Sequence, residues 1–276
     1  MNSFSKSLRL MGNNFTITVV SEDRITADCH IDIAIAEIQR IEKLFTTFDP
    51  NSQTNLINEY AGIKPVVVDE EVFKLIERSI TISNLTQGAF DITYGSIDKG
   101  LWNFDTNMTA LPSHEIAKKM VYLINYRNII LNKEQLSVML LNKGMRIGFG
   151  GIGKGYAAEM AKKKLVERNV LSGIINASGD LTTWGTQASG KPWTIGIAHP
   201  DHPSSAFSCL NISGKAIATS GNYEKCIIIN GKKFSHTIDP KTGFPVTGIK
   251  SVTVISNNAE LADAMATPIA VMGIKP

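Results

Sequence analysis

The sequence predicts an α+β fold, on three observations. Amphipathic helical stretches are interspersed with hairpin-like strand pairs and do not alternate strictly with single strands. No fixed-period repeat runs through the 276 residues. No Pro/Ser-rich linker divides them, and at this length the chain could be one large domain or two modest ones. With 43% hydrophobic and 19% charged residues, the chain can bury a substantial core and is neither disordered nor fibrous.

Phe15 to Val20 alternates in the β manner after a Gly-Asn-Asn turn signal. From Asp23 to Phe45 the residues Ala27, Ile31, Ala34, Ile38, Ile41 and Phe45 recur at helical spacing and predict a long amphipathic helix. A polar loop, Asp49 to Asn58, comes next, followed by a short strand at Val66 to Val68. Phe73, Ile76 and Ile80 mark a second helix. Gly88 to Asn107 reads as irregular, and Ser113 with Ala117, Met120 and Ile124 starts a third helix. Strands are expected at Asn128 to Leu131, Leu136 to Leu141 and Arg146 to Ile147. The glycine cluster at 148–155 opens a helix that runs to about Arg168, with Asn169 as its cap. Strands recur at Ile174 to Asn176, Trp193 to Ile197, Cys226 to Ile229 and Ser251 to Ile255, and a last helix starts near Asn258. The chain stops at Pro276, where a further strand would be expected.

Several classes are disfavoured. The net charge is +3 with lysines and arginines scattered, where a nucleic-acid binder would gather them into a stripe. Cys29, Cys209 and Cys226 form no C-x-x-C pair and suggest neither a disulfide framework nor zinc. No apolar run has the length to span a bilayer. Met1 to Arg9 lacks the apolar stretch of a signal peptide, which read literally means a cytoplasmic protein.

The loudest local signal is Gly148-Phe-Gly-Gly-Ile-Gly-Lys-Gly155. Gly148, Gly150 and Gly153 fit the dinucleotide fingerprint G-x-G-x-x-G, with Glu167 near the place of the ribose-binding acid. The following helix leads into a β-rich half, however, and not into a Rossmann series. Gly148 through Lys154 also fits the P-loop, but position 155 is glycine where a Ser or Thr should bind Mg²⁺. Two readings remain open: glycines that allow tight strand–helix packing, or a helix N-terminus whose N–H groups and Lys154 receive a phosphate. The second is the expectation taken forward.

On the last predicted helix Asp263 and Thr267 are four apart and share a face among the small residues Ala262, Ala264 and Ala266. A carboxylate and a hydroxyl give two hard oxygens of the kind Mg²⁺ prefers. Spacing alone favours a solvated Asp and a Thr bonding back to the helix. In His236-Thr-Ile-Asp-Pro-Lys-Thr-Gly243 the turn explains itself, while His236 beside an Asp-bearing loop is a candidate acid–base group.

In order, these segments resemble the ApbE family of FAD:protein FMN transferases. The resemblance runs through Met11-Gly12, Phe48 to Ser52 with Asn55 and Asn58, Gly88 to Asp91, Trp102 and Gly150 to Gly155. It continues through Asn176 to Asp180, Thr219 to Tyr223, His236 to Pro245, Ala262 to Thr267 and Val271 to Gly273. It implies one bilobed unit over residues 1–276, with mixed, largely antiparallel sheets and packed helices. It implies that Met11, Phe48, Ala89, Phe90, Asp91, Lys154, Ser220 and Thr242 line the FAD site. Gly153, through its carbonyl, with Asp263 and Thr267 would hold Mg²⁺. His236 would be the base, with Asp239 orienting its loop.

The implied reaction transfers FMN from FAD to a threonine of an acceptor flavoprotein of the redox-complex subunit type, releasing AMP. Storage of FAD, or its Mg²⁺-dependent hydrolysis to FMN and AMP, is the alternative. The resemblance also implies a periplasmic location, with any membrane attachment through a lipid anchor outside this sequence. The chain departs from the family pattern at Gly148 (usually Asp), Gly153 (usually Ala), Ser178 in Gly-Gly-Asp, and Asn222 (commonly Asp).

Overall fold

The computed structural model describes residues 1–100, 110–202, 205–221, 226–229, 231–235 and 237–274. Along the chain these form β1 (Asn2–Leu10), β2 (Asn13–Ser21), α1 (Arg24–Phe45), α2 (Gln53–Glu59), β3 (Val66–Val67) and α3 (Glu70–Leu85). A 3-10 turn (Ile92–Ser96), α4 (His114–Met120), β4 (Ile129–Asn132), β5 (Ser137–Leu140) and α5 (Gly153–Val166) follow. Then come β6 (Gly173–Ala177), β7 (Asp180–Trp184), β8 (Trp193–Ala198), β9 (Ala206–Ile212) and β10 (Ala216–Gly221). The last are β11 (Cys226–Ile229), β12 (Lys232–Ser235), β13 (Ser251–Ser256) and α6 (Ala259–Met272). The α+β expectation holds: helices are interspersed with antiparallel pairings throughout.

The chain divides into two compact units, each built from three segments of the sequence. The first comprises Met1–Lys43, Ile152–Ser220 and Thr253–Ala266. Its six-stranded sheet has the order β1-β2-β6-β7-β10-β13. Phe15, Ile17 and Val19 point inward at period two along β2 and are fully buried, as are Ile31, Ile38 and Ile41 of α1. Ala216 and Ala218 of β10 pack with Ala259, Ala262 and Ala266 of α6. Small side chains on both surfaces let this helix lie close to the strand.

Two hairpins bring site residues to one end of the sheet. Leu10 pairs with Asn13 across a two-residue turn, Met11-Gly12, whose φ angles are 50° and 73°. Ala177 pairs with Asp180 across Ser178-Gly179, at 53° and 100°. Positive φ at both central residues is the turn that matches strand twist in tight hairpins. Phe15 pairs with Ala177, so the two tips are neighbours, and the Ser178 N–H donates to the Asn14 carbonyl at 3.0 Å.

The second unit comprises Leu44–Gly151, Gly221–Val252 and Thr267–Pro276. It holds the three-stranded sheet β3-β5-β4 and the β11-β12 hairpin. Met120, Val121, Ile229, Phe234 and Ile238 form a core there, with Tyr94, Ile97, Leu111 and Ile124 against it.

Three expectations about elements are corrected. β1 is absent from the sequence reading because it is an edge strand with most residues exposed, so its apolar alternation is weak. Asp49 to Asn58 is not all loop: Ser52 caps α2 by accepting from the Asn55 N–H. Arg146 to Ile147 is not a strand. The Asn58 amide takes the place of a neighbouring strand there, accepting from the Ile147 N–H at 2.7 Å and donating to its carbonyl at 3.1 Å.

Candidate functional site

In the first unit a carboxylate sits where the glycine cluster becomes a helix. Gly153, Lys154 and Gly155 are the first turn of α5, whose N–H groups have no partner within the helix. The Gly155 N–H donates to Asp263 Oδ2 at 2.8 Å. The sequence reading offered this helix N-terminus to a ligand's phosphate. In the structure the anion there is the protein's own, a carboxylate 7% exposed, delivered by α6.

Lys154 is equally engaged. Its ammonium pairs with Asp180 Oδ2, while Asp180 Oδ1 accepts from the Thr219 N–H at 3.3 Å. Asp180 is the first residue of β7, set by the Ser178-Gly179 turn, and is 5% exposed. Three charged groups thus share a nearly dry space: two carboxylates and one ammonium. Burial pushes the Asp263 carboxyl up to about 6. The Lys154 charge lowers it, the Asp180 charge raises it, and backbone N–H groups of Gly155 and Lys154 lower it. Among the described residues these three groups carry a net charge of −1, which a hard dication would suit.

Among the described residues no group of three or more His, Cys, Asp or Glu side chains forms a metal cluster. Mg²⁺ does not require one, since it keeps several waters and takes one or two carboxylates plus substrate phosphates. The donors here fit that pattern. Thr267 follows Asp263 by one turn on α6 and is half-buried.

The other assigned residues fall as follows. Met11 is the tip of the β1–β2 hairpin, and Ser220 lies near the end of β10, both half-buried in the first unit. In the second unit Ala89 and Phe90 are buried, and the Phe90 ring lies 3.4 Å from where a Cβ on Gly151 would stand. Asp91 is occupied by its own protein. Oδ1 accepts from the Thr93 N–H at 2.8 Å and the Thr93 hydroxyl at 2.6 Å, and Oδ2 accepts from the Tyr126 N–H at 2.9 Å. It therefore ties the 3-10 turn to the segment before β4 and fixes the backbone of Ala89 and Phe90. Burial raises its carboxyl above the ordinary range, against those hydrogen bonds.

Phe48 is 96% exposed, an aromatic face available to stack on a flat ligand. Asp239 organises its own loop: its carboxylate accepts from the Lys241 N–H at 2.9 Å and the Thr242 hydroxyl at 3.1 Å. His236, assigned as the base, lies outside the described residues, as do Trp102, Asn222 and Tyr223. The second unit also holds a polar cleft of ≈ 320 Å³ lined by Gly88, Asp91, Tyr122, Tyr126, Arg127 and Lys241.

Sequence reasoning gave no role of their own to two residues. Asp180 was visible only as part of a hairpin segment, and its pairing with Lys154 spans 26 residues. Glu159 carried no motif at all. It lies on α5 and bonds to the backbone of α6, 100 residues away.

Fold and site define an α+β protein whose first unit pairs a hairpin-ended sheet with a buried centre of two carboxylates and one ammonium. The profile of the ApbE family matches residues 11–276, and the chain belongs to that family. An FAD:protein FMN transferase of Klebsiella pneumoniae is 31% identical over 274 residues, covering 99% of this chain and 83% of that one. The crystal structure of the ApbE protein from Thermotoga maritima superposes with a TM-score of 0.88 at 30% identity, covering 98% of this chain and 87% of that one. Pseudomonas stutzeri flavinyl transferase ApbE, 23% identical, has a TM-score of 0.84 over 100% of this chain and 87% of its own, a likeness of fold.

Proposed function

We propose that this enzyme is a Mg²⁺-dependent FAD:protein FMN transferase that esterifies the FMN half of FAD to a threonine hydroxyl of an acceptor flavoprotein and releases AMP. Membership of the ApbE family, with relatives that are FAD:protein FMN transferases, supplies the class, a flavin transferase. The observation that carries the metal is Asp263, a buried carboxylate whose charge Lys154 and Asp180 leave uncompensated. Asp263, Thr267 and the Gly153 carbonyl are the residues to hold Mg²⁺. When bound there, the ion neutralises charge on the pyrophosphate.

The acceptor oxygen forms a bond to the phosphorus on the FMN side, and the bond from that phosphorus to the AMP phosphate oxygen breaks. The threonine proton goes to a base, a role that stays with His236 on the sequence. Asp91 holds Ala89 and Phe90, and Phe48 offers its exposed ring to FAD. An extracytoplasmic location belongs to the same reading on family resemblance; finding the protein wholly in the cytosol of fractionated source cells would remove it.

Incubation with FAD, Mg²⁺ and a flavin-acceptor domain should give a covalent FMN adduct by mass spectrometry, with AMP in equal amount. AMP and free FMN without adduct would make the enzyme a hydrolase. Neither product would leave a binding protein, and adduct formation in excess EDTA would remove the metal.

A second expected result divides the glycine cluster. A Cβ on Gly148 or Gly150 would meet nothing within 4 Å, so packing does not demand glycine at either place. Close approach of the ligand is a reason that remains for Gly150, whereas at position 148 the family pattern itself carries Asp. Gly150→Ala should leave folding stability within about 0.5 kcal/mol while weakening FAD binding. Unchanged FAD affinity in a titration would show that Gly150 does not face the ligand.

A further inference from the structure

Helices α5 and α6 each place a carboxylate on the other's N-terminus. Asp263 of α6 accepts from the Gly155 N–H in the first turn of α5 at 2.8 Å. In return, Glu159 of α5 accepts through Oε2 from the Ala259 N–H, the first residue of α6, at 2.9 Å. Both amides are donors that a helix cannot satisfy by itself. Gly155 and Glu159 are four apart, as are Ala259 and Asp263, so each pair lies on one face. The crossing is close: a Cβ on Gly155 would meet the Ala259 carbonyl and stand 2.7 Å from Asp263 Cβ.

Glu159 is not a surface residue completing a cap by chance. Its side chain and that of Lys162 are each 15% exposed. Lys162 pairs with Glu159 Oε1 at 3.2 Å and donates to the Thr182 hydroxyl of β7 at 3.2 Å. Two residues before Thr182 on β7 is Asp180, the partner of Lys154. The network therefore ties together the three elements that carry the charged centre. Asn258 already caps α6 locally, accepting from the Leu261 N–H at 3.1 Å, so the helix does not depend on Glu159 to form.

We infer that Glu159 is a positioning residue for the metal centre: by holding the first amide of α6 it sets where Asp263 stands against the first turn of α5. This rests on the proposal that Asp263 binds Mg²⁺. Groups in that supporting position orient a ligand without touching the ion, and their loss costs roughly 10–100-fold in metal affinity.

The test measures Mg²⁺ affinity directly, by calorimetry and by the Mg²⁺ dependence of the melting temperature, in wild type, Glu159→Ala, Glu159→Gln and Ala259→Pro. Proline is well suited to the first position of a helix, and there it removes the N–H that Glu159 receives, adding two ring carbons on the same side. Glu159→Ala and Ala259→Pro should each bind Mg²⁺ about tenfold more weakly, and the double variant no more weakly than either. Glu159→Gln, which keeps an acceptor, should recover part of the loss. In turnover the Mg²⁺ requirement should rise while the KM for FAD at saturating Mg²⁺ stays put.

Wild-type affinity in Ala259→Pro would overturn the inference, and this variant decides the matter even if Glu159→Ala fails to fold. Additive losses in the double variant would also overturn it. A wild-type protein with no Mg²⁺ binding would overturn both this and the metal reading beneath it.

Discussion

Asp263→Asn is expected to make the metal-free protein more stable at neutral pH and nearly inactive. Asparagine keeps an oxygen for the Gly155 N–H and removes the charge that burial penalises. The sign follows from linkage. The folded carboxyl titrates at about 6 against 3.8 as the ordinary value, so between these the folded state holds a proton that the unfolded state has released. Stability from this group is complete below the unfolded value and is lost as pH rises through 4 to 6. At 1.36 kcal/mol per unit, wild type loses up to about 3 kcal/mol over that window and the variant does not.

Denaturant unfolding in EDTA from pH 4 to 8 should show the variant's advantage growing with pH and levelling above about 6. Curves that stay parallel would mean that Asp263 is already neutralised within the protein. Adding Mg²⁺ should raise the melting temperature of wild type and leave the variant unmoved. Flavin transfer should fall by roughly 10²–10³, the several kcal/mol expected when a charge-stabilising metal is lost. Wild-type turnover in the variant would take Asp263 out of the site.

That trade of stability for a charged centre is the part of the molecule least legible in the sequence. The helices α1 and α3 were visible because their apolar residues repeat at helical spacing, and α5 because a glycine cluster opens it and Asn169 follows it, all local signals. So was β2, whose Phe15, Ile17 and Val19 alternate inward. β7 was not, because its five residues Asp-Leu-Thr-Thr-Trp are all buried and its threonines are satisfied only by tertiary partners. Thr183 donates to the Lys215 carbonyl at 2.9 Å, a bond across 32 residues.

The site divides along the same line. Asp263 and Thr267 could be marked as a pair from their spacing, but nothing local says that Asp263 is buried, or that it caps a helix 108 residues earlier. The fate of Lys154 is likewise written in Asp180, and the role of Glu159 in Ala259. Residue types and local periodicity reveal which groups can do chemistry, whereas which charges end up uncompensated depends on contacts remote in sequence.

The glycine cluster shows how that distance resolves an ambiguity, and Gly155→Ala is the substitution that tests it. Packing and anion binding both explained the run of glycines, and the structure assigns packing to Gly155. An added Cβ would press into the Ala259 carbonyl oxygen and stand 2.7 Å from Asp263 Cβ and 2.8 Å from the Ala259 carbonyl carbon. These atoms belong to a helix backbone and a short buried side chain, with no flexible end that can swing aside. The two helices must separate, at a cost of about 1–3 kcal/mol for an overpacked contact. The better helix propensity of alanine returns at most about 1 kcal/mol.

The larger effect should be on Asp263. Separation lengthens its 2.8 Å bond to the Gly155 N–H and moves the carboxylate away from the first turn of α5, where the Gly153 carbonyl lies. Gly155→Ala should therefore melt several degrees lower than wild type and lose most of its response to Mg²⁺. Gly150→Ala, five residues earlier with open space at its Cβ, should melt like wild type and keep that response. If the two variants behave alike, the close crossing of α5 and α6 is not what this glycine serves. If Gly155→Ala loses stability but binds Mg²⁺ as wild type does, Asp263 tolerates a shifted helix, and the reciprocal capping of α5 and α6 is not what places it.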